Sequence, residues 1–419
     1  MYKFLKTVWN RTSYPVSIIL GFVVLVQLAG CRDSGTVGSV GLPSRSSEIN
    51  TDTTQLSDLH TNALNAYSGD RSYFSAGHFQ DPLFGDIKSI GLIKPNLASN
   101  NGNYFFDQKT QMKLKLIINK ESVYGDPSAG EKFKLVEIAK PWRGQSWRLK
   151  NQVQLVQDSV VGSFTVTSND SVTVPLSSHF VNKYGNYFNN TDSTRNTDYR
   201  RNFYGFALVP QNSNKILAFD PGNSYFIATN IKVSTDTTTQ RDSLHISPMG
   251  WAYNLNRKEA SDSISGTTKV YNTLEKTLSF NYDFSSKNIN PITLSKAELV
   301  IYRDELQYNN SIAQAGSNVE RPKSGTLYLH LANSGELPQS IDPGSPLISA
   351  TYNDSDKAYH FNLTRLIKSG SLENIGSNMS FYIKSGRNDG VIRSNILFNS
   401  NAGTKAPKII ITSTNNSNQ

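Results

Sequence analysis

Cysteine is all but missing from this chain of 419 residues, with one occurrence, and histidine occurs six times. One cysteine excludes a disulfide framework and any thiolate zinc site. The histidines, at positions 60, 78, 179, 245, 330 and 360, are isolated, so the H-E-x-x-H spacing of a hydrolytic zinc is missing. G-x-S-x-G, a phosphate-binding glycine loop and a dinucleotide fingerprint are missing too. No run of five or six Lys/Arg occurs, and the densest basic cluster, Arg200-Arg201 with Arg195 nearby, is diluted by Asn and Asp. Nucleic acid is therefore not an expected partner. A glycosidase needs only two carboxylates in a cleft, which sequence leaves open, but acids are scarce near the aromatic clusters. The expectation is a chain that is not an enzyme, with no catalytic residue, metal ligand or cofactor to assign.

Long apolar runs are also scarce, and the exception is instructive. Lys3, Lys6 and Arg11 precede an apolar stretch from Val16 to Leu28. As a helix it would cover about 20 Å, short of the ~30 Å of a bilayer core and suited to a signal-peptide core. It ends in Leu28-Ala29-Gly30-Cys31, small residues before the chain's one thiol. This resembles a bacterial lipobox, in which the thiol is acylated and cleavage leaves Cys31 first. Acyl chains contribute about 0.8 kcal/mol per buried CH₂, so two or three anchor firmly. Maturation removes three cations and no acid, lowering the formal net charge from +9 to +6, and leaves no free thiol.

Beyond the signal peptide (1–30), residues 31–62 are rich in Ser, Thr, Gly and Asp and read as a flexible tether. Period-2 alternation then recurs, as in Met112, Leu114, Leu116 and Ile118 against Lys113 and Lys115, or Leu327, Leu329 and Leu331 against Tyr328 and His330. Such short alternating segments, separated by polar turns, predict a mainly β protein of antiparallel sheets. Helical spacing is confined to Leu176, Phe180 and Val181 ending at Gly185, to Leu363, Leu366 and Ile367 ending at Gly370, and to residues 56–66. His330 reads as solvent-facing.

Five elements recur in order. Met112–Ile118 matches Ala297–Tyr302, Phe133–Ile138 matches Thr326–Leu331, and Val172–Gly185 matches Tyr359–Gly370. Phe203–Val209 matches Met379–Ile383, and Tyr225–Val233 matches Pro407–Thr412. The offsets predict two tandem jelly-roll-like β-sandwiches, 63–245 and 246–419, with few short helices.

The lipobox, Gly77-His78-Phe79-Gln80-Asp81-Pro82-Leu83-Phe84-Gly85, Tyr124-Gly125-Asp126, Phe203-Tyr204-Gly205-Phe206 and Ile292-Thr293-Leu294-Ser295-Lys296-Ala297-Glu298-Leu299 together resemble a family. It is the uncharacterised outer-membrane lipoproteins of Bacteroidota classed as a domain of unknown function. Leu397-Phe398-Asn399-Ser400 through Pro407 to Ile411 is also similar to carbohydrate-binding-module-like jelly rolls. The resemblance implies an outer-membrane, surface-exposed lipoprotein held by its acyl chains beside an outer-membrane protein complex. Only one acid follows Cys31, in Arg32-Asp33-Ser34-Gly35, so the periplasmic face stays open. Asp-Ser/Thr followed by an aliphatic residue or Thr recurs and resembles the O-glycosylation sequon of that phylum. The acceptors would be Thr53, Ser159, Ser171, Ser193, Thr237, Ser243 and Ser263; Ser/Thr-rich loops are the alternative.

Pro82 and Gly85 read as turn chemistry around a core-plugging Phe84. Asp354, Asp356 and Asn388-Asp389-Gly390 are oxygen-rich turns of a kind that calcium uses, although plain polar turns are the expectation. Trp142 and Trp147 are the candidate binding residues, with Arg143 and Arg148. Exposed, the indoles would stack on a glycan or anchor an interface; burial at a sandwich end is the alternative. Residues 182–206 read as a long loop with binding potential. Two functions follow: an interaction or assembly module beside envelope β-barrel proteins, or a glycan-binding lipoprotein, with a hydrolase third.

Overall fold

Alternation becomes burial residue by residue. Along Gln111–Ile118, Met112, Leu114, Leu116 and Ile118 are buried while Gln111 and Lys113 are exposed. The computed structural model describes residues 47–416 except 101, 168–169, 235–238, 261–263, 285–286, 288, 316–317, 334–345 and 373–378. Cys31, Thr237 and Ser263 lie outside the described residues. Contacts divide the chain into residues 1–50 with 413–419, and residues 51–412. Of the smaller unit, Ser47–Asn50 and Ser413–Asn416 are described, as strand.

The chain opens with β1 (Ser47–Gln55), β2 (Leu59–Asn62), β3 (Phe74–Asp81), β4 (Gly85–Pro95), β5 (Tyr104–Phe105), β6 (Gln111–Ile118), β7 (Tyr124–Gly125) and β8 (Glu131–Ile138). There follow β9 (Leu155–Val166), β10 (Ser171–Pro175), α1 (Ser178–Asn189), α2 (Arg195–Asn202), β11 (Phe206–Pro210), β12 (Asn214–Ser234), β13 (Thr239–Ile246) and β14 (Pro248–Lys258). The later half holds β15 (Thr267–Tyr271), β16 (Thr277–Phe280), β17 (Leu294–Tyr302), α3 (Glu305–Ala315), β18 (Thr326–Asn333) and β19 (Ile348–Asn353). It ends with β20 (Ala358–Asn362), α4 (Thr364–Lys368), β21 (Met379–Ser385), β22 (Ser394–Phe398) and β23 (Lys408–Asn416). The protein is mainly β, its sheets curled towards barrels in the manner of β-sandwich or jelly-roll domains.

Strand partners repeat between the halves. β4–β11, β11–β8, β8–β9, β10–β6 and β6–β12 are matched by β16–β21, β21–β18, β18–β19, β20–β17 and β17–β23. Register repeats as well. Leu116 faces Val172 as Ile301 faces Tyr359, and Leu135 faces Leu208 as Tyr328 faces Lys384. These are the offsets of the sequence matches. The first set keeps its inward residues, Leu116 and Ile301 both lying in the apolar core. Inward Leu135 and Leu208 instead correspond to Tyr328 and Lys384, which stand outside the apolar cluster beside inward Leu327, Leu329 and Ile383, so that match is displaced by one residue.

Each half borrows a strand across the expected boundaries. β2 lies in what reads as tether, yet pairs with β16, and the preceding Leu56 is buried. That corrects the tether: residues 51–62 include ordered strand, because β16 would otherwise leave an unpaired backbone edge. β14, beyond residue 245, pairs with β4 through ten positions. One core spans both halves, since Tyr271, Leu274, Tyr308, Val319, Ile392 and Ile396 pack into the cluster built on Phe74, Phe84, Phe133 and Phe219.

Helical segments depart from the sequence reading in four places, one of them α3, which the sequence reading did not anticipate. α1 starts at its Ser177 cap but runs through Gly185 to Asn189. Gly185 serves close approach instead of termination, for a Cβ there would lie 2.8 Å from Phe106 Cβ. Residues 56–66 hold β2 and no helix. The expected loop 182–206 is largely α1 and α2, whose Tyr184, Phe188 and Tyr199 are buried in the core together with Phe203 just after α2. At α4, Gly370 takes φ 69° after the last turn, as its position suggests. His330 is buried, not solvent-facing, and burial beside Lys384 lowers its pKa to about 4.

Candidate functional site

The segment between β8 and β9 is stitched to residues 66–70 by backbone bonds from Ser68 N to Trp147 O and from Leu149 N to Ala66 O, 2.9 and 3.0 Å. Two glycines permit this closeness. A Cβ on Gly69 would run into the Gly144 carbonyl, and one on Gly144 into the Asp70 carboxylate. Asp70 holds φ 52°, tied by its N–H to Trp251 O at 3.0 Å.

On this platform Trp142 donates its indole N–H to Tyr204 O at 2.7 Å and meets Trp147 edge-on at 6.1 Å. Both rings are half-buried against the small cluster of Leu92, Ile138, Ala207 and Ala252 on the outer side of the sheet. Trp142 lines a cleft of about 640 Å³ together with Pro141, Met249 and Gly250; Trp147 stands behind it.

The other wall is basic. Tyr199 of α2 donates its hydroxyl to Pro95 O at 2.5 Å, which sets the last turn of α2 over the end of β4. Arg200 and Arg201 thereby meet Lys94 across the cleft, where Arg143 also lies. Lys94 is 6% exposed, donates to Arg200 O at 3.3 Å and sits 5.0 Å from the Tyr199 ring centre. Burial first, and then the Arg200 charge, push Lys94 down to about 8. Asp70 is the acid of the lining, and among the described residues none of these four cations is in an ion pair with it or with another carboxylate.

Trp142 and Arg143 thus stand together at the cleft, while Trp147 buttresses it. Arg148 is engaged elsewhere, donating to Asn65 O and Tyr67 Oη at 2.9 Å and lying 4.2 Å from the Tyr67 ring centre. Sequence reading passed over Lys94, Asp70 and Met249. The one available signal was Arg200-Arg201, read there as solvated surface. Of the glycosylation acceptors, Thr53, Ser171, Ser193 and Ser243 are exposed, and half-buried Ser159 donates to Glu137 at 3.2 Å.

Polar constellations elsewhere are bound up in the fold. Asp354 pairs with Lys357, Asp356 with His360 and Asp389 with Arg393. Ser213 Oγ, His78 and Asp86 form a chain of 2.6 and 2.5 Å that ties the β11–β12 turn to the β3–β4 hairpin; these residues do not line the Trp142 cleft. The Asp81–Gly85 turn is structural: Asp81 accepts from Leu83 N and Phe84 N, Gly85 has φ 89°, and Phe84 is fully buried. Among the described residues no group of three His, Cys, Asp or Glu could hold a metal ion, and no helix is long and apolar enough to cross a membrane.

No protein-family model matches the chain, and no curated protein does. Among solved structures, the Faustovirus major capsid protein aligns over 93% of each chain at 10% identity and a TM-score of 0.10. The infectious bursal disease virus VP2 subviral particle aligns over 90% of this chain and 79% of its own at 11% identity and a TM-score of 0.11. Neither likeness bears on fold or function.

Proposed function

We propose that the chain is a non-catalytic outer-membrane lipoprotein, anchored through Cys31, that acts as an interaction module and presents the Trp142 cleft to its partner. The observation that supports this is the meeting of Lys94, Arg143, Arg200 and Arg201 with Trp142 in one cleft, without an ion pair among the described residues. Unpaired cations beside an indole suit binding, whereas a hydrolytic site would need a positioned acid–base or nucleophilic pair. A lipid anchor concentrates such a module beside envelope neighbours, with an outer-membrane β-barrel complex as the expected partner. Co-purification in mild detergent tests the reading. A β-barrel protein should be retained by the unaltered chain and lost on Arg200→Glu with Arg201→Glu; retention by both, or no envelope protein above background, defeats it.

A second reading is favoured by the cleft's mixed lining. Trp142, Pro141 and Met249 offer apolar surface next to the guanidinium groups, a combination that suits a glycan. A glycan array probed with the chain and with Trp142→Ala separates the two.

A further inference from the structure

Lys94 is the unexpected member of the cleft. A lysine with 6% of its surface exposed loses hydration, and the Arg200 charge repels it. A methionine of similar length would fill the space without that cost. Its Nζ donates to the neutral Arg200 O, and among the described residues no carboxylate pairs with it, so the cleft is a site for an anion from outside. Arg143, Arg200 and Arg201, all exposed on the same cleft, repeat the demand, and Asp70 offsets one of the four charges.

The remaining lining limits what carries that anion. Trp142, Met249, Pro141 and Gly250 are apolar or neutral, and the volume of about 640 Å³ lies in the ~300–1,000 Å³ range of small-molecule sites. A bare inorganic anion would leave this surface uncovered. A nucleic-acid backbone needs a continuous basic track, and here the cations converge on one hollow. A pyranose ring bearing a negative group matches both halves: its C–H face suits the indole, its acid the cations.

We propose that this cleft binds an acidic saccharide, with the ring against Trp142 and Met249 and its carboxylate or phosphate on Arg143, Arg200 and Arg201 above Lys94. The proposal rests on the glycan-binding reading and adds the ligand's charge. Guanidinium groups supply bidentate contacts to the acid, and Lys94 supplies a charge that no carboxylate pairs with among the described residues.

Calorimetry on the full chain in mild detergent tests it, with digalacturonate and glucose 6-phosphate as acidic probes, maltose as the neutral sugar and inorganic phosphate as the bare anion. At least one acidic sugar should bind tenfold or more tightly than maltose and than phosphate. Arg143→Ala and Arg201→Ala, at exposed positions, should each weaken it several-fold. Lys94→Met should abolish it without lowering the melting temperature, while Lys150→Ala, outside the cleft, leaves it unchanged. Maltose binding as tightly as the acidic sugars overturns the proposal, as does phosphate matching glucose 6-phosphate, or neither acidic sugar binding. If the sugars fail while β-barrel co-purification still depends on Arg200 and Arg201, the ligand class falls and the interaction module stands; loss of both removes both.

Discussion

Arg321 lays Nε and Nη2 on the two oxygens of Asp81, at 2.6 and 2.8 Å, with both side chains sealed from solvent. Tyr124 adds its hydroxyl to the same carboxylate at 2.9 Å, and Arg321 donates onward to Ser311 Oγ at 2.6 Å. A turn of the first half is thereby locked to a segment of the second. Desolvating two charges is costly, so the pair is better evidence of a specified junction than of net stability.

Removing one partner exposes that cost. Arg321→Ala should lower unfolding free energy by about 3–5 kcal/mol, since Asp81 would stay buried and uncompensated. Urea denaturation measures it, and a loss below about 1 kcal/mol would mean that water or another cation takes over.

Lys94 should make stability depend on alkaline pH. Its folded pKa, about 8, lies below the ordinary 10.5, so between these values the unfolded chain binds more protons. Stability then rises with pH across that window. Lys94→Met should stabilise the chain near neutrality, with the gain fading towards pH 10.5. Destabilisation at pH 7 would contradict the assignment.

Glu131 works in the opposite sense. Fully buried, with Oε1 lacking a partner and Oε2 accepting from Asn214 N and Lys215 N, its carboxyl is pushed up to about 7, chiefly by burial. The folded state holds the proton that the unfolded chain releases near 4.5. This contribution is complete below pH 4.5 and is lost as pH rises through 7. Glu131→Gln should flatten melting temperature across that interval, and an unchanged slope would assign it to other groups.

The platform under Trp142 depends on a backbone approach. Gly69→Ala drives a methyl into the Gly144 carbonyl and should cost about 2 kcal/mol or more, with weaker ligand binding. Gly325→Ala, with nothing within 4 Å of its Cβ, should shift stability by less than about 0.5 kcal/mol in the same thermal scans.

Anchoring has its own measurement. Radiolabelled palmitate should enter the unaltered protein and not Cys31→Ser, and that variant should leave the membrane fraction. Identical fractionation of the two would remove the lipoprotein reading.

Strand periodicity needed no coordinates, because alternation along a strand is a local property. The Asp81–Gly85 turn was legible for the same reason. Residues 182–206 misled because Asn-rich composition masks the helical spacing of Tyr184, Phe188, Tyr199 and Phe203, which tertiary packing then stabilises. Folding alone joined Asp70, Lys94, Trp142, Arg143, Arg200 and Met249 into one cleft. These residues come from separate segments, and Lys94 near the end of a strand carries no local mark of burial. Which loop covers a strand end depends on contacts between distant segments, and side-chain period does not encode them.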